Sequence, residues 1–419
     1  MKPKPHILFH GLLFTATATC QQIPEGLLDV DTAILRAFEA NRDLAIAELE
    51  IKRAKSRLRW SGRLSNPSIG VLARSDHFGI DEGERAMEFS FTQRFPITSR
   101  LRIEKSLRNK QVILAEAETA EHRRNLAADV AGVILDLTAT HYHEEHQREH
   151  AILKTSMSKN LRDLVDRGEA SVLELAQIEI EARHIQQKGR IYKARQDQHQ
   201  IKLNQLLGAD SQIQNKVSFF LDLPEKIPNK KIDLANILTK RPDHILALSR
   251  IETANEILEL EKARKWEDVA IKVFVQSQRS MDEPIGLETN TFAGLGLSIP
   301  LPIRKKNEDG IEQAEINEES ARIEAAAVRF KIQSEYASAS KYQLDSWQIA
   351  QEANGEILRL ARKNYDDFRL AYLEGLTGLI QVQRAHERLL ELEHAALEAK
   401  IDYHKATLLV RKATGDFPN

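Results

Sequence analysis

The sequence predicts a mainly α-helical protein with a small β part, built as two copies of one half-molecule. Three observations carry this expectation. First, landmarks of different chemistry recur. Trp60 returns as Trp266, about 206 residues on, Pro96-Ile97 as Pro302-Ile303, and Leu206-Leu207-Gly208 as Ala413-Thr414-Gly415; so long a period is a duplicated half-molecule, not a solenoid repeat. Second, charged residues make up 29% of the chain and aromatics only 6%. Ala, Glu, Leu, Lys and Arg dominate, as in long helices and coiled coils. Third, the hydrophobic period switches from helical to two-residue alternation at matching places in both halves.

Sixty basic and 62 acidic residues nearly cancel, so nothing in the charge balance favours a nucleic-acid partner. The single cysteine, Cys20, leaves the rest of the chain without disulfides or thiolate metal sites. Residues 1–20 read as an export signal. Lys2 and Lys4 form a basic start, Ile7 to Phe14 an apolar core, and small residues follow. Two processing routes are open, cleavage after Ala16-Thr17-Ala18 or lipidation of Cys20. Beyond this segment no run of eighteen apolar residues occurs, so no membrane-spanning helix is expected.

The first repeat is placed at 21–208. Its opening helix carries Ile34, Leu35, Phe38, Leu44, Ile46 and Leu49 and runs to about Trp60. Strands are expected at about 68–76, after Asn66-Pro67, and 86–95, where Met87, Phe89 and Phe91 alternate with Glu88, Ser90 and Thr92. The second repeat, 232–415, opens with a helix through Ile237, Leu238, Ile245, Leu248, Ile251, Ile257 and Leu258 up to Trp266. Strands follow at about 268–277 (Val269, Ile271, Val273, Val275 on one face) and 292–301 (Leu295, Leu297, Ile299, Leu301). Polar loops, His77 to Glu84 and Arg279 to Thr291, join the members of each pair. Strands of this length span a bilayer when tilted, and alternation with one apolar face suits a membrane barrel. The other reading is a pair of hairpins packed on a soluble core. Four strands cannot close a barrel, and an open edge cannot sit in hydrocarbon. A membrane reading therefore requires a homo-oligomer that pools strands.

Long helical patterns follow each hairpin, Leu101 to Val165 and Ile311 to Leu373, about 100 Å each at the rise of an α-helix. Each stops at a Gly-containing break, and a second helix returns, Ser171 to Leu207 and Thr377 to Lys412. Ser171 and Thr377 are the expected N-caps, since a hydroxyl satisfies free first-turn amides. A connector with Pro224 and Pro228 fills 209–231, and 416–419 form a tail.

These features together resemble the TolC-like outer-membrane factors of tripartite efflux and type I secretion. The resemblance is carried by the half-molecule repeat, by Asn66-Pro67 and by the turn Arg167-Gly168-Glu169-Ala170-Ser171-Val172-Leu173. Leu295-Gly296-Leu297-Ser298-Ile299-Pro300-Leu301-Pro302 and Arg241-Pro242-Asp243 look most like the heavy-metal-efflux CzcC/CusC branch. The resemblance implies a homotrimer. Each protomer would lend four strands to a twelve-stranded barrel in outer-membrane lipid, and its helices to an α-helical barrel in the periplasm. It implies a passive, non-enzymatic duct without a cofactor. Its tip turns, at Gly168, Glu169, Ala170 and Ser171 and at Gly375, Leu376 and Thr377, would meet a periplasmic membrane-fusion adaptor joined to an inner-membrane RND pump. Acidic residues often narrow the family's pore near the tip. The matching stretch here, Leu379 to Arg384, has no acid, so Gln381 and Arg384, with Glu174 in the first repeat, are the candidate constriction. Drug efflux or type I protein secretion would share the fold. A soluble coiled-coil scaffold is the alternative from another class.

One cluster suggests metal chemistry. His143, His146 and His150 lie three and four apart in His141-Tyr142-His143-Glu144-Glu145-His146-Gln147-Arg148-Glu149-His150, and so share one helix face. Neutral imidazoles so placed suit zinc or copper, although a solvated helix face is the plainer reading. The pairs Glu181/His184 and Glu391/His394 echo the spacing of di-iron bundles, which a Glu-rich chain produces readily. The chain has no phosphate-binding glycine loop and no nucleophile elbow.

Overall fold

The computed structural model describes residues 28–76, 83–215, 217, 221–227, 232–282 and 284–418. The export-signal reading and Cys20 therefore lie outside the described residues. So do His77 to Glu82 of the first hairpin loop and Pro228 of the connector.

The chain runs through α1 (Val30–Ala40), α2 (Arg42–Trp60), β1 (Ser68–Ser75), β2 (Arg85–Phe95), α3 (Arg100–Asp166) and α4 (Val172–Leu206). It then repeats the order with α5 (Leu234–Lys240), α6 (Pro242–Ala263), β3 (Val269–Asp282), β4 (Gly286–Ser298), α7 (Glu308–Glu352), a π-helical turn (Ala353–Ile357), α8 (Leu358–Leu373) and α9 (Leu379–Thr414). Helices α3 and α4 form one long antiparallel hairpin, and α7–α8 with α9 form the other. Helices α2 and α6 pack along the strand-proximal part of α3, and α3 also touches α9.

The opening helix of each half is two helices, not one. Asn41 breaks the first, because its side chain accepts from the Leu44 amide at 3.0 Å and so caps α2. Arg241 breaks the second, and Pro242 takes the first position of α6, where its missing N–H costs nothing. Both breaks also serve the far end of the returning helix. Asn41 Nδ2 donates to the Leu206 carbonyl at 2.9 Å. Arg241 Nη1 donates to the Lys412 and Ala413 carbonyls at 3.1 and 3.0 Å. The duplication thus preserves a device by which each break satisfies orphan carbonyls at the end of α4 or α9.

Glycine closes each of these junctions. Gly208 ends α4 with φ +62°, and Gly415 ends α9 with φ +72°. A Cβ on Gly208 would lie 2.2 Å from the Ala40 carbonyl oxygen, whereas one on Gly415 meets nothing closer than 3.5 Å. Gly415→Ala is expected to cost about 1 kcal/mol from handedness alone. Gly208→Ala should cost on the order of 2–4 kcal/mol, because backbone must also move. Thermal unfolding of the two variants checks this order, and equal losses would contradict the close approach at Ala40.

The main core lies here, where Leu28, Ile34 and Ala37 pack on Ala127, Val130, Ala131 and Ile134 of α3 and Leu203 and Leu206 of α4. Elsewhere the helices meet along narrow alanine seams. On α7 the buried residues are Ala314, Ala321, Ala325, Ile332, Ala339, Ser346 and Ala350, the seven-and-four spacing of a coiled-coil seam. Small seam residues let long helices lie close. The connector adds to this packing: Leu221 joins Leu135, Ala139 and Ile401, and Trp347 Nε1 donates to the Pro224 carbonyl at 3.0 Å.

Two long segments differ from the sequence expectation. The helix expected without interruption to Leu373 carries the π-helical turn. There Asn354 Nδ2 donates to the Ala350 carbonyl at 2.9 Å and to Ala396 of α9 at 3.2 Å; a side chain inserted in the ladder is a known cause of such a bulge. The strands β3 and β4 also extend into the segment read as a polar loop. They pair from Ala270↔Ser298 to Asp282↔Gly286, since Thr289 and Thr291 are good strand residues despite their polarity. Conversely Ile299 and Leu301 fall beyond β4.

Candidate functional sites: the sheet, the helix tips and a histidine cluster

The four strands form one antiparallel sheet in the order β1-β2-β3-β4. Register decides what its faces present. Ile69, Phe91, Val273 and Leu295 make one cross-strand row, and Val71, Phe89, Val275 and Ala293 the next. All of these large side chains are exposed, Ile69 and Leu295 by about four-fifths. The opposite face carries Glu88, Ser90, Thr92, Lys272 and Gln276, with an ion pair between Lys272 and Glu88 and Phe274 folded over Gly294. Among the described residues no helix covers the apolar face, and β1 and β4 have no further strand partner. Exposed Trp60 and Trp266 stand at the helix-to-strand junctions, where Arg100 of α3 grips Asp268 with bonds of 2.9 and 2.7 Å. Among the described residues no helix is long and apolar enough to cross a membrane.

At the other end of the helices the two turns are built alike. In the first, Gly168 (φ +75°) donates to the Val165 carbonyl at 2.9 Å and Glu169 to Leu164 at 2.9 Å. In the second, Gly375 (φ +74°) donates to Tyr372 at 3.0 Å and Leu376 to Ala371 at 2.8 Å. Both are Schellman closures, for which glycine supplies the left-handed residue. Ser171 then caps α4, accepting from the Leu173 amide at 3.1 Å. The matching position of α9 is Gly378, which provides no side-chain cap. Thr377, expected as that cap, lies one residue too early. Here the repeat offset is one longer than between the tryptophans, and Ser171 corresponds to Gly378. Val172, Leu173, Leu373 and Leu376 leave apolar surface open at the turns. Glu174 and Gln381 sit exposed in the first turns of α4 and α9, and Arg384 is exposed one turn further along α9.

The histidine segment lies about two thirds of the way along α3, against α4 and α9. His143 is 6% exposed. Its ring stacks on Tyr192 of α4 with centroids 5.0 Å apart, and its Nε2 stands 3.2 Å from Glu398 Oε1 of α9. His394, also from α9, lies 5.2 Å by centroid from His143 and 5.1 Å from His146. His146 Nε2 bonds the Leu390 carbonyl at 2.8 Å. His150 is a turn further on, 6.3 Å from His146. Burial holds the imidazoles of His143, His394 and His150 below the ordinary histidine range, the first two against the pull of Glu398. Next to His150, Lys154 is 2% exposed and bridges Glu181 of α4 at 2.7 Å and Glu387 of α9 at 2.8 Å. Despite its burial, these two carboxylates raise the lysine above its ordinary value. Glu181 is thereby engaged, and Glu391 is 2.9 Å from Arg388, so neither Glu-x-x-His pair assembles as in a di-iron site. The contribution of His394 and Glu398 to the cluster, some 250 residues from His143, was not read from the sequence; the Glu391/His394 spacing was its only local trace.

A duplicated pair of long helical hairpins, with four strands gathered into one sheet, is the fold of the TolC-like outer-membrane factors. The chain is similar in structure to CusC, described for its folding and transmembrane channel formation (16% identity, 92% of this chain and 91% of that one, TM-score 0.72). It is likewise similar to the outer membrane protein VceC from Vibrio cholerae (16%, 92% and 96%, 0.72) and to the CmeC outer membrane channel of Campylobacter jejuni (14%, 92% and 85%, 0.74). These scores are level, so the likeness defines the fold and does not single out a branch. No family model and no curated protein matches the chain by sequence.

Proposed function

We propose that this chain is one protomer of a homotrimeric exit duct of the outer membrane, a passive and non-enzymatic component of a tripartite efflux system. The observation that carries the reading is the sheet. A bare apolar face across all four strands, with two unpaired edges, is stable in lipid only if further copies close it. Three copies give a twelve-stranded barrel, with the Glu88/Lys272 face toward its interior and Trp60 and Trp266 at a membrane boundary, where amphipathic rings collect. The helices then extend into the periplasm, and their tips at Gly168 to Ser171 and Gly375 to Thr377 meet a membrane-fusion adaptor linked to an RND-type pump. The open apolar residues Leu173 and Leu376 supply contact area there. Gln381, Arg384 and Glu174 narrow the tip.

For cargo we favour heavy-metal cations, on the Arg241-Pro242-Asp243 and Leu295 to Pro302 patterns. Drug efflux and protein secretion share the architecture. Extraction from the native envelope tests the duct directly. The expected result is a trimer, by detergent-corrected mass, released only from outer membranes by detergent. A monomer or dimer freed without detergent would instead support a soluble coiled-coil scaffold. Loss of the gene should raise sensitivity to Zn, Co, Cd, Cu or Ag salts, and unchanged tolerance without redundant exporters would count against the metal branch.

A further inference from the structure

We propose that His143, His394 and Glu398 form a binding site for a divalent transition-metal ion that clamps α3 to α9. The three side chains offer ligand atoms that all lie within 4.8 Å of one another. One edge of the polyhedron is already in place: His143 Nε2 is 3.2 Å from Glu398 Oε1, against about 3.3 Å between neighbouring ligands of a tetrahedral zinc ion with bonds near 2.0–2.1 Å. His146 stands beside the group, its ring 5.1 Å by centroid from that of His394.

A purely structural cluster would be expected to satisfy its buried nitrogens. This one does not. Nδ1 of His146, whose Nε2 bonds the Leu390 carbonyl, is buried without a hydrogen-bond partner, where most such atoms have one; Nδ1 of His143 is likewise unpartnered, while its Nε2 is the atom that faces Glu398. His143 is the most enclosed of the set, held between Tyr192 on α4 and the two residues of α9. Two or three imidazoles with one carboxylate suit zinc, nickel or copper(II). Calcium and magnesium prefer all-oxygen sites, and soft monovalent copper and silver prefer the sulfur ligands that are lacking here.

The consequence is mechanical. Helix α3 belongs to the first repeat and α9 to the second, so a bound ion ties the two halves together within their helical hairpins. The site lies between helices of one chain and is independent of the duct reading; it can be tested whether the chain proves to be a trimer or not.

The test uses untagged full-length protein stripped with a chelator and titrated calorimetrically with zinc chloride, with magnesium chloride in parallel. The expected result is one zinc per chain and no heat from magnesium. Binding should weaken by about tenfold or more in His394→Ala and in the nearly isosteric Glu398→Gln, and remain unchanged in His184→Ala, which removes an exposed histidine of α4. Zinc should also raise the unfolding midpoint of the wild type and not that of Glu398→Gln. Absence of zinc binding, or equal affinity and stoichiometry in wild type and Glu398→Gln, would overturn the site and leave the histidines as packing residues.

Discussion

Arg241→Ala is expected to lower stability by about 3–5 kcal/mol, the usual result of removing one partner of a buried ion pair. Arg241 is 1% exposed and donates to two α9 carbonyls, to both carboxylate oxygens of Asp243 at 2.9 and 2.6 Å, and to Glu335 at 2.9 Å. Without the guanidinium, Asp243 would be left charged and largely buried, and the last turn of α9 would lose two hydrogen bonds. Glu335 is 39% exposed and contributes less, because water screens it. A lowered thermal midpoint by circular dichroism is the measurement, and a midpoint like that of the wild type would contradict the account.

The same pair predicts a pH dependence. Burial alone would raise the Asp243 carboxyl, but the Arg241 guanidinium outweighs it and holds the group below its ordinary value. A depressed carboxylate contributes stability that is fully present above its unfolded value, near pH 3.9, and is lost as the pH falls through the lower folded value. Wild type should therefore lose stability below about pH 4 more steeply than Asp243→Asn.

Val273→Arg is the second large effect. Val273 lies between Phe91 and Leu295 in the apolar row. In the proposed trimer a cation there would face lipid and cost about 2–4 kcal/mol in each of the three protomers. The expected outcome is loss of protein from outer-membrane fractions, while Gln276→Arg, on the opposite face, inserts normally. Equal recovery of both variants would mean that the apolar face does not meet lipid.

The elements that were legible from sequence share a physical reason: their signals are local. The alternation of Met87, Phe89 and Phe91 places three side chains on one face of β2 whatever the strand pairs with, because the period of a strand is two. Gly168 and Gly375 mark helix ends because a Schellman closure needs a left-handed residue that glycine adopts without strain. Where local signals compete, the tertiary structure decides between them. Thr377 offered a hydroxyl at the expected place, yet the helix begins one residue later because the Gly375 closure sets the turn length. Asn41 and Arg241 lie inside runs of helical period, and their roles at the breaks depend on carbonyls of α4 and α9 that are distant in sequence.

Local patterning was thus sufficient for the duplication, the helical class, the apolar strand faces and the two tip turns. Pairing β2 with β3 across the two repeats, and so gathering two hairpins into one sheet, belongs to the fold. So does the meeting of His143 with His394 and Glu398. Which residues of two long helices face each other depends on their relative rotation and axial shift, set by the sum of many small alanine contacts and by the caps at Asn41 and Arg241. No short stretch of chain encodes that sum.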